Sequence, residues 1–144
     1  MLVSQILGSK ATGDIISVSP EATIGEAARV LSEKRIGALV VREGEGLPEG
    51  ILSERDIVRE LGRQGPSCLD NVVAELMTRE IVHTTRDERT DAVLQKMTEG
   101  RFRHMPVFDG DTLLGVISIG DVVKARLSEL AAENDALEGM IKGF

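Results

Sequence analysis

Apolar residues recur along this chain in two alternating patterns, and the whole sequence of patterns occurs twice. In the first half, Ile15 to Val18 reads as a short strand. Thr23-Ile24-Gly25-Glu26 has the spacing of a capping box, in which Thr23 caps a helix and Glu26 reaches back. Ile24, Ala27, Ala28 and Leu31 then fall on one helical face. Ala38 to Val41 predicts a buried strand, Glu43 to Gly46 a turn, and Gly50 to Leu52 a third strand. A helix from about Glu54 to Leu61 closes the half. The second half predicts a strand at Val82, a helix over Thr90 to Met97, strands at Met105 to Phe108 and Leu113 to Ile117, and a longer final helix.

The two halves register when the chain is offset by 66 residues: Asp14-Ile15-Ile16 over Glu80-Ile81-Val82, Glu33 and Arg35 over Glu99 and Arg101, Val41 over Val107. After one residue is lost in a turn, Gly50-Ile51-Leu52-Ser53 lies over Gly115-Val116-Ile117-Ser118, and Asp56 and Val58 over Asp121 and Val123. That period is too long for a solenoid, so it reads as a duplicated domain. A half of about 60 residues has only a marginal core. The expectation is therefore an α+β fold: tandem β-α-β-β-α repeats packed sheet to sheet with pseudo-twofold symmetry. The expected divisions are residues 1–65, 66–128 and a helical extension 129–144, with a linker at Gly62 to Ser67.

Composition narrows the chemistry. The chain has three Phe and neither Trp nor Tyr, so it lacks the aromatic platforms on which single-stranded nucleic acid stacks. A formal charge of −7 argues equally against binding a phosphate backbone, while leaving room for a small phosphorylated ligand held by a few local cations. Cys68 is the single cysteine, which points to a reducing compartment. Met1 to Gly8 lacks the features of a signal peptide and no stretch is apolar enough to span a bilayer, so a cytoplasmic protein is expected.

The strongest chemical signal is Gly50-Ile-Leu-Ser53-Glu-Arg-Asp56, matched by Gly115-Val-Ile-Ser118-Ile-Gly-Asp121. In each, a strand runs into the first turn of a helix, where backbone N–H groups and a Ser hydroxyl suit a phosphate. The Asp three residues on can accept charge-assisted hydrogen bonds from the vicinal hydroxyls of a ribose. The same Ser-x-x-Asp is also a variant capping box. Its recurrence in both halves, each time behind Gly and two apolar residues, favours the nucleotide reading. A second feature is Arg101-Phe102-Arg103-His104-Met105-Pro106-Val107, which clusters cationic or titratable side chains at the entry to a buried strand, where they either neutralise phosphates or form a solvated strand edge, the reading that the segment taken alone slightly favours. The first half has Arg35-Ile36-Gly37-Ala38-Leu39-Val40 there, with Gly37 and Ala38 leaving room for a flat ring.

The repeat pair, the Gly-h-h-Ser-x-x-Asp ending each half and the Arg-His-Met-Pro-Val strand resemble the CBS domain family over nearly the whole chain. The resemblance implies two clefts between repeats for adenosine-containing ligands such as AMP, ADP, ATP, NAD(H) or S-adenosylmethionine. One cleft would use Ser118, Gly120 and Asp121 for phosphate and ribose. Its adenine would lie against Thr12, Ile16, Gly37 and Ala38, with Arg103 and His104 near the phosphates. The other would use Ser53, Arg55 and Asp56 with Thr78, Val82, Arg101 and Pro106. Ala38 and Val40 stand where the second repeat has His104 and Pro106, a departure from the family's basic-x-Pro strand that favours the Asp121 cleft.

No catalytic constellation is visible: His83 and His104 are isolated, and Cys68 has no partner base. The expected role is a non-catalytic regulatory module that senses energy or redox state through an adenine nucleotide and signals to an unidentified protein partner. The alternatives are a structural homodimerisation module with empty clefts, or a regulatory fragment related to that of IMP dehydrogenase. The resemblance also implies a homodimer. Independently, Val123, Leu127, Leu130, Asn134, Leu137 and Ile141 form a heptad seam on the final helix, to be buried either against another copy or against the second repeat.

Overall fold

Two three-stranded sheets carry the fold of this computed structural model, which describes residues 1–9 and 15–141. The chain divides into two compact units, Asp14–Val82 and Met1–Gly13 with His83–Phe144. The architecture is α+β, as the sequence pattern predicts.

In the unit Asp14–Val82, β1 (Ser17–Val18) lies parallel to β2 (Ala38–Val41), and β2 is antiparallel to β3 (Gly50–Ser53). A parallel pair requires a crossover, and α2 (Ile24–Lys34) supplies it. Its start is the predicted capping box: Glu26 N–H donates to Thr23 Oγ1 at 3.1 Å, and Thr23 N–H donates to Glu26 Oε2 at 3.2 Å. Its end is Arg35 in the left-handed region, φ 54°. The helix buries Ile24, Ala27 and Leu31 against Leu39, Val41 and Leu52 of the sheet. Each such side chain contributes about 1.5–3 kcal/mol on burial.

The expected linker is mostly structured. Helix α3 (Glu54–Gln64) runs past Gly62, and 3₁₀ turns follow at Pro66–Asp70 and Val73–Glu75. The buried Val73 and Met77 then complete the core of this unit. Thr78 bridges to Ile51, giving and receiving backbone hydrogen bonds of 2.9 and 3.0 Å, and so extends the sheet beyond β3. This line of chain passes so close that a Cβ on Gly50 would lie 2.7 Å from Met77 Sδ and 2.8 Å from the Thr78 carbonyl oxygen.

The other unit repeats the order with β4 (Thr84–Thr85), α4 (Thr90–Gly100), β5 (His104–Asp109) and β6 (Thr112–Ser118). The strand expected at Val82 is displaced: β4 begins at Thr84, and Val82 is exposed in irregular chain. Helix α4 also ends on a left-handed residue, Arg101, φ 58°. An element absent from the sequence reading completes this core: α1 (Val3–Ser9) buries Val3 and Ile6 among Val93, Met97, Met105 and Ile117.

Helix α5 (Ile119–Ile141) packs on its own unit through Val122 and Ala125. The heptad seam lies on a different face. Leu127, Leu130, Leu137 and Ile141 are 62, 50, 58 and 85 % exposed, so the seam is not buried against the second repeat.

Candidate functional site

The two Gly-x-x-Ser-x-x-Asp segments adopt one geometry. In the first, β3 pairs with β2 so that Ser53 lies opposite Ala38, and α3 begins at the next residue. Ser53 N–H donates to Asp56 Oδ2 at 2.9 Å, while Asp56 N–H donates to Ser53 Oγ at 3.2 Å. In the second, Ser118 lies opposite His104, Ser118 N–H donates to Asp121 Oδ2 at 2.9 Å, and Asp121 N–H donates to Ser118 Oγ at 3.1 Å. Both are complete capping boxes, so the Ser and Asp side chains stabilise the helix starts whatever else they do.

The first helical residues have partners that side-chain reading could not reveal. Glu54 N–H donates to the Gly37 carbonyl at 2.9 Å, and Ile119 N–H donates to the Arg103 carbonyl at 2.7 Å. Of the first three helical N–H groups, the first is thus taken by a carbonyl and the third by the Ser hydroxyl. Between them stand the N–H groups of Arg55 and Gly120, which have no hydrogen-bond acceptor among the described residues. Each helix start therefore presents one unanswered donor at its positive end.

The surroundings differ in charge and bulk. Beside the first turn stand the half-buried Gly37 and the buried Ala38, with Ile16 just before β1, its carbonyl accepting from Val40 N–H. Arg55 is exposed, and Asp56 Oδ1 lies 3.8 Å from Arg59 Nη1. Beside the second turn stand Arg103, exposed, and His104, half-buried at the start of β5. Gly120 in place of Arg55 leaves the unanswered donor there without side-chain cover.

The other expected residues are distributed as follows. Arg101 ends α4 as its left-handed cap, with its N–H donating to the Met97 carbonyl, so its backbone has a structural role. Pro106 is buried in β5 opposite Val116, and Thr78 is the exposed residue bridged to Ile51. Val82 is exposed. Thr12 lies outside the described residues.

Comparison with known proteins agrees with this repeat geometry. The CBS domain family profile matches residues 3–63 and 73–128. The chain is 43% identical to the CBS-domain containing protein ATU1752 from Agrobacterium tumefaciens, with a TM-score of 0.84 over 88% of this chain and 99% of that one. It is 34% identical over 140 residues, 94% of this chain and 68% of the relative, to the mitochondrial CBS domain-containing protein CBSX3 of Arabidopsis thaliana. The CBS domain pair of protein MJ0100, crystallised with 5′-methylthioadenosine and S-adenosyl-L-methionine, aligns with a TM-score of 0.77 at 25% identity, covering 90% of this chain and 98% of that one. With the family profile matched twice and both helix starts built alike, the chain belongs to the CBS domain family.

Proposed function

We propose that this chain is a non-catalytic regulatory module that binds an adenosine-containing ligand at its two Ser-x-x-Asp helix starts. The observation that carries this reading is the pair of unanswered N–H groups at Arg55 and Gly120, each between a helical N–H taken by a backbone carbonyl and one taken by the Ser hydroxyl. An anionic or polar oxygen of the ligand accepts from that donor, and a ribose hydroxyl donates to Asp56 or Asp121. Adenine then lies against the small side of β2 at Gly37 and Ala38, where Ile16 is adjacent along the sheet. Arg103 offers positive charge and His104 a polar ring to phosphates, which makes AMP, ADP, ATP or NAD(H) as suitable as S-adenosylmethionine. Thr12, Thr78, Val82, Arg101 and Pro106 remain proposed ligand contacts on family likeness alone. The relative crystallised with methylthioadenosine and S-adenosylmethionine supports an adenosine ligand. Ligand binding that favours one conformation would then report energy or redox state to a protein partner.

A second reading has its own observation: the capping boxes are complete without a ligand, as a purely structural module requires. Melting the protein with AMP, ATP, NADH and S-adenosylmethionine, each at millimolar concentration beside GMP, separates the two. Sensing predicts a rise in Tm with at least one adenosine ligand and a smaller one with GMP, whose 2-amino group meets the Gly37–Ala38 backbone. Equal shifts for adenine and guanine, or none at all, would favour the structural module.

A further inference from the structure

We infer that the distal part of α5 is a docking surface for a basic amphipathic helix of another protein. This surface is separate from the two Ser-x-x-Asp helix starts, and the inference is independent of ligand binding. Glu129 is tied to α4 through the Thr90 hydroxyl. Beyond it, residues 130–138 are all exposed. A helix shorter than about 12–15 residues is marginal in water by itself, so a partner that covers this stretch stabilises it. The side chains it presents are ordered. Leu127, Leu130, Asn134, Leu137 and Ile141 alternate spacings of three and four, the repeat of a helix–helix seam, and the four apolar ones are exposed.

The charges bordering the seam identify the occupant. From Leu127 to Ile141 the chain has four carboxylates, Glu129, Glu133, Asp135 and Glu138, and no Lys or Arg. Glu129 is taken by Arg126, whereas Glu133, Asp135 and Glu138 form no ion pair among the described residues. Glu133 stands just before the seam residue Asn134, and Glu138 just after the seam residue Leu137, so a carboxylate borders the stripe on each side. Residues at such borders set partner choice in paired helices. A parallel second copy would bring Glu133 beside Glu138 of the other copy twice by symmetry, and a reversed copy would bring Glu133 against Glu133. A foreign helix with Lys or Arg along both borders turns each of these contacts attractive. Asn134 inside the seam favours a polar residue at the facing position, which fixes the register. The same carboxylates repel an anionic bilayer, so the stripe fits a protein helix rather than a lipid surface.

Fluorescence anisotropy with the full chain and three labelled synthetic peptides of about three heptads tests this. The first peptide has a Leu seam with a single Asn and carries Lys on both borders. The second carries Glu on the borders, and the third keeps the composition of the first in scrambled order. The first should bind more tightly than either of the others by roughly tenfold or more. Equal binding of the scrambled peptide would overturn the docking surface in favour of a general attraction between cations and an acidic protein. Absence of binding by the first peptide at high micromolar concentration would overturn it too. Glu133→Lys with Glu138→Lys should weaken the Lys-bordered peptide roughly tenfold and strengthen the Glu-bordered one, because attractive borders become repulsive. Unchanged preferences in that variant would overturn the charge selection. Leu137→Asp should abolish binding of the first peptide with helicity intact by circular dichroism, and unchanged binding would overturn the seam. Sedimentation velocity of Leu137→Asp completes the test: a fall in mass relative to wild type would give the surface to a second copy instead.

Discussion

The buried hydroxyl of Thr90 donates to Glu129 Oε1 at 2.9 Å, joining the first residue of α4 to the middle of α5. The same carboxylate accepts from the N-terminal ammonium of Met1 at 2.6 Å and from Arg126. Three donors therefore converge on one half-buried side chain. The ammonium hydrogen bond is the largest influence; with Thr90 and Arg126 it outweighs partial desolvation and lowers the Glu129 carboxyl from its ordinary 4.5 to about 2. The stabilisation is thus fully present above pH 4.5 and is lost as the pH falls towards 2. Glu129→Gln should flatten the dependence of stability on pH across that window, while leaving the Thr90 contact possible. Urea unfolding at a series of pH values checks it, and parallel curves for the two proteins would exclude the role.

Gly50 and Gly115 occupy the same place in the two repeats but tolerate a methyl group differently. On Gly50 the new Cβ meets a backbone carbonyl and the Met77 side chain below 3 Å, and the carbonyl belongs to the Thr78 bridge. On Gly115 it meets only Leu7 Cδ2, at 3.2 Å. Gly50→Ala should therefore cost about 1–3 kcal/mol, as overpacking does, and Gly115→Ala less, because a Leu side chain can turn aside. Denaturant midpoints of the two variants decide the order.

Helix α1 should behave as part of the core of its unit. Ile6 is 3 % exposed among residues contributed by α4, β5 and β6. Ile6→Ala should destabilise the protein by about 2–5 kcal/mol, the range for emptying a well-packed aliphatic site. Hydrogen exchange should show lost protection in α4 and β5. Loss limited to the first nine residues would show that α1 is only loosely attached.

Asp121 and Asp56 each serve the helix start, so alanine substitution alone confounds stability with affinity. Asp121→Asn keeps an acceptor for Ser118 N–H and removes the charge that a ribose hydroxyl would meet. A charge-assisted hydrogen bond is worth about 1.5–3 kcal/mol, which predicts at least a tenfold loss of adenosine-ligand affinity in Asp121→Asn. The loss in Asp56→Asn should be smaller, since Gly37 and Ala38 stand in the places of Arg103 and His104 and offer no polar side chain. Calorimetry on the folded variants measures both. Unchanged affinity in each would leave the two carboxylates as caps alone.

What could be read from the sequence was what is local. Thr23 and Glu26 sit three residues apart and bond to each other, so their spacing announces the helix. Ser53 with Asp56 and Ser118 with Asp121 were legible for the same reason. Helix α1 was not, because Val3 and Ile6 bury only against residues from the far half of the chain, and seven residues carry too short a period to show amphipathy. Strand β4 is two residues long, below any alternation signal, and begins two residues after Val82, the apolar residue at which the pattern predicts a strand. The donors at Arg55 and Gly120 are exposed as unanswered only by the Gly37 and Arg103 carbonyls beside them. Those carbonyls are backbone atoms, which residue type does not encode.

The interleaving of the two units also sets an order of events during synthesis. Asp14–Val82 is continuous, so all of its strands have emerged once the 3₁₀ turn at Val73–Glu75 leaves the ribosome. The other unit needs α1, made first, and β6, made nearly last, and must close a loop around everything between. Loop closure grows costlier with length and slows folding. Val3 and Ile6 should therefore stay unsatisfied through most of translation, held back for a core that does not yet exist. Stalled nascent chains ending near residue 110 should protect Leu39 and Leu52 from proteolysis while leaving α1 cleavable.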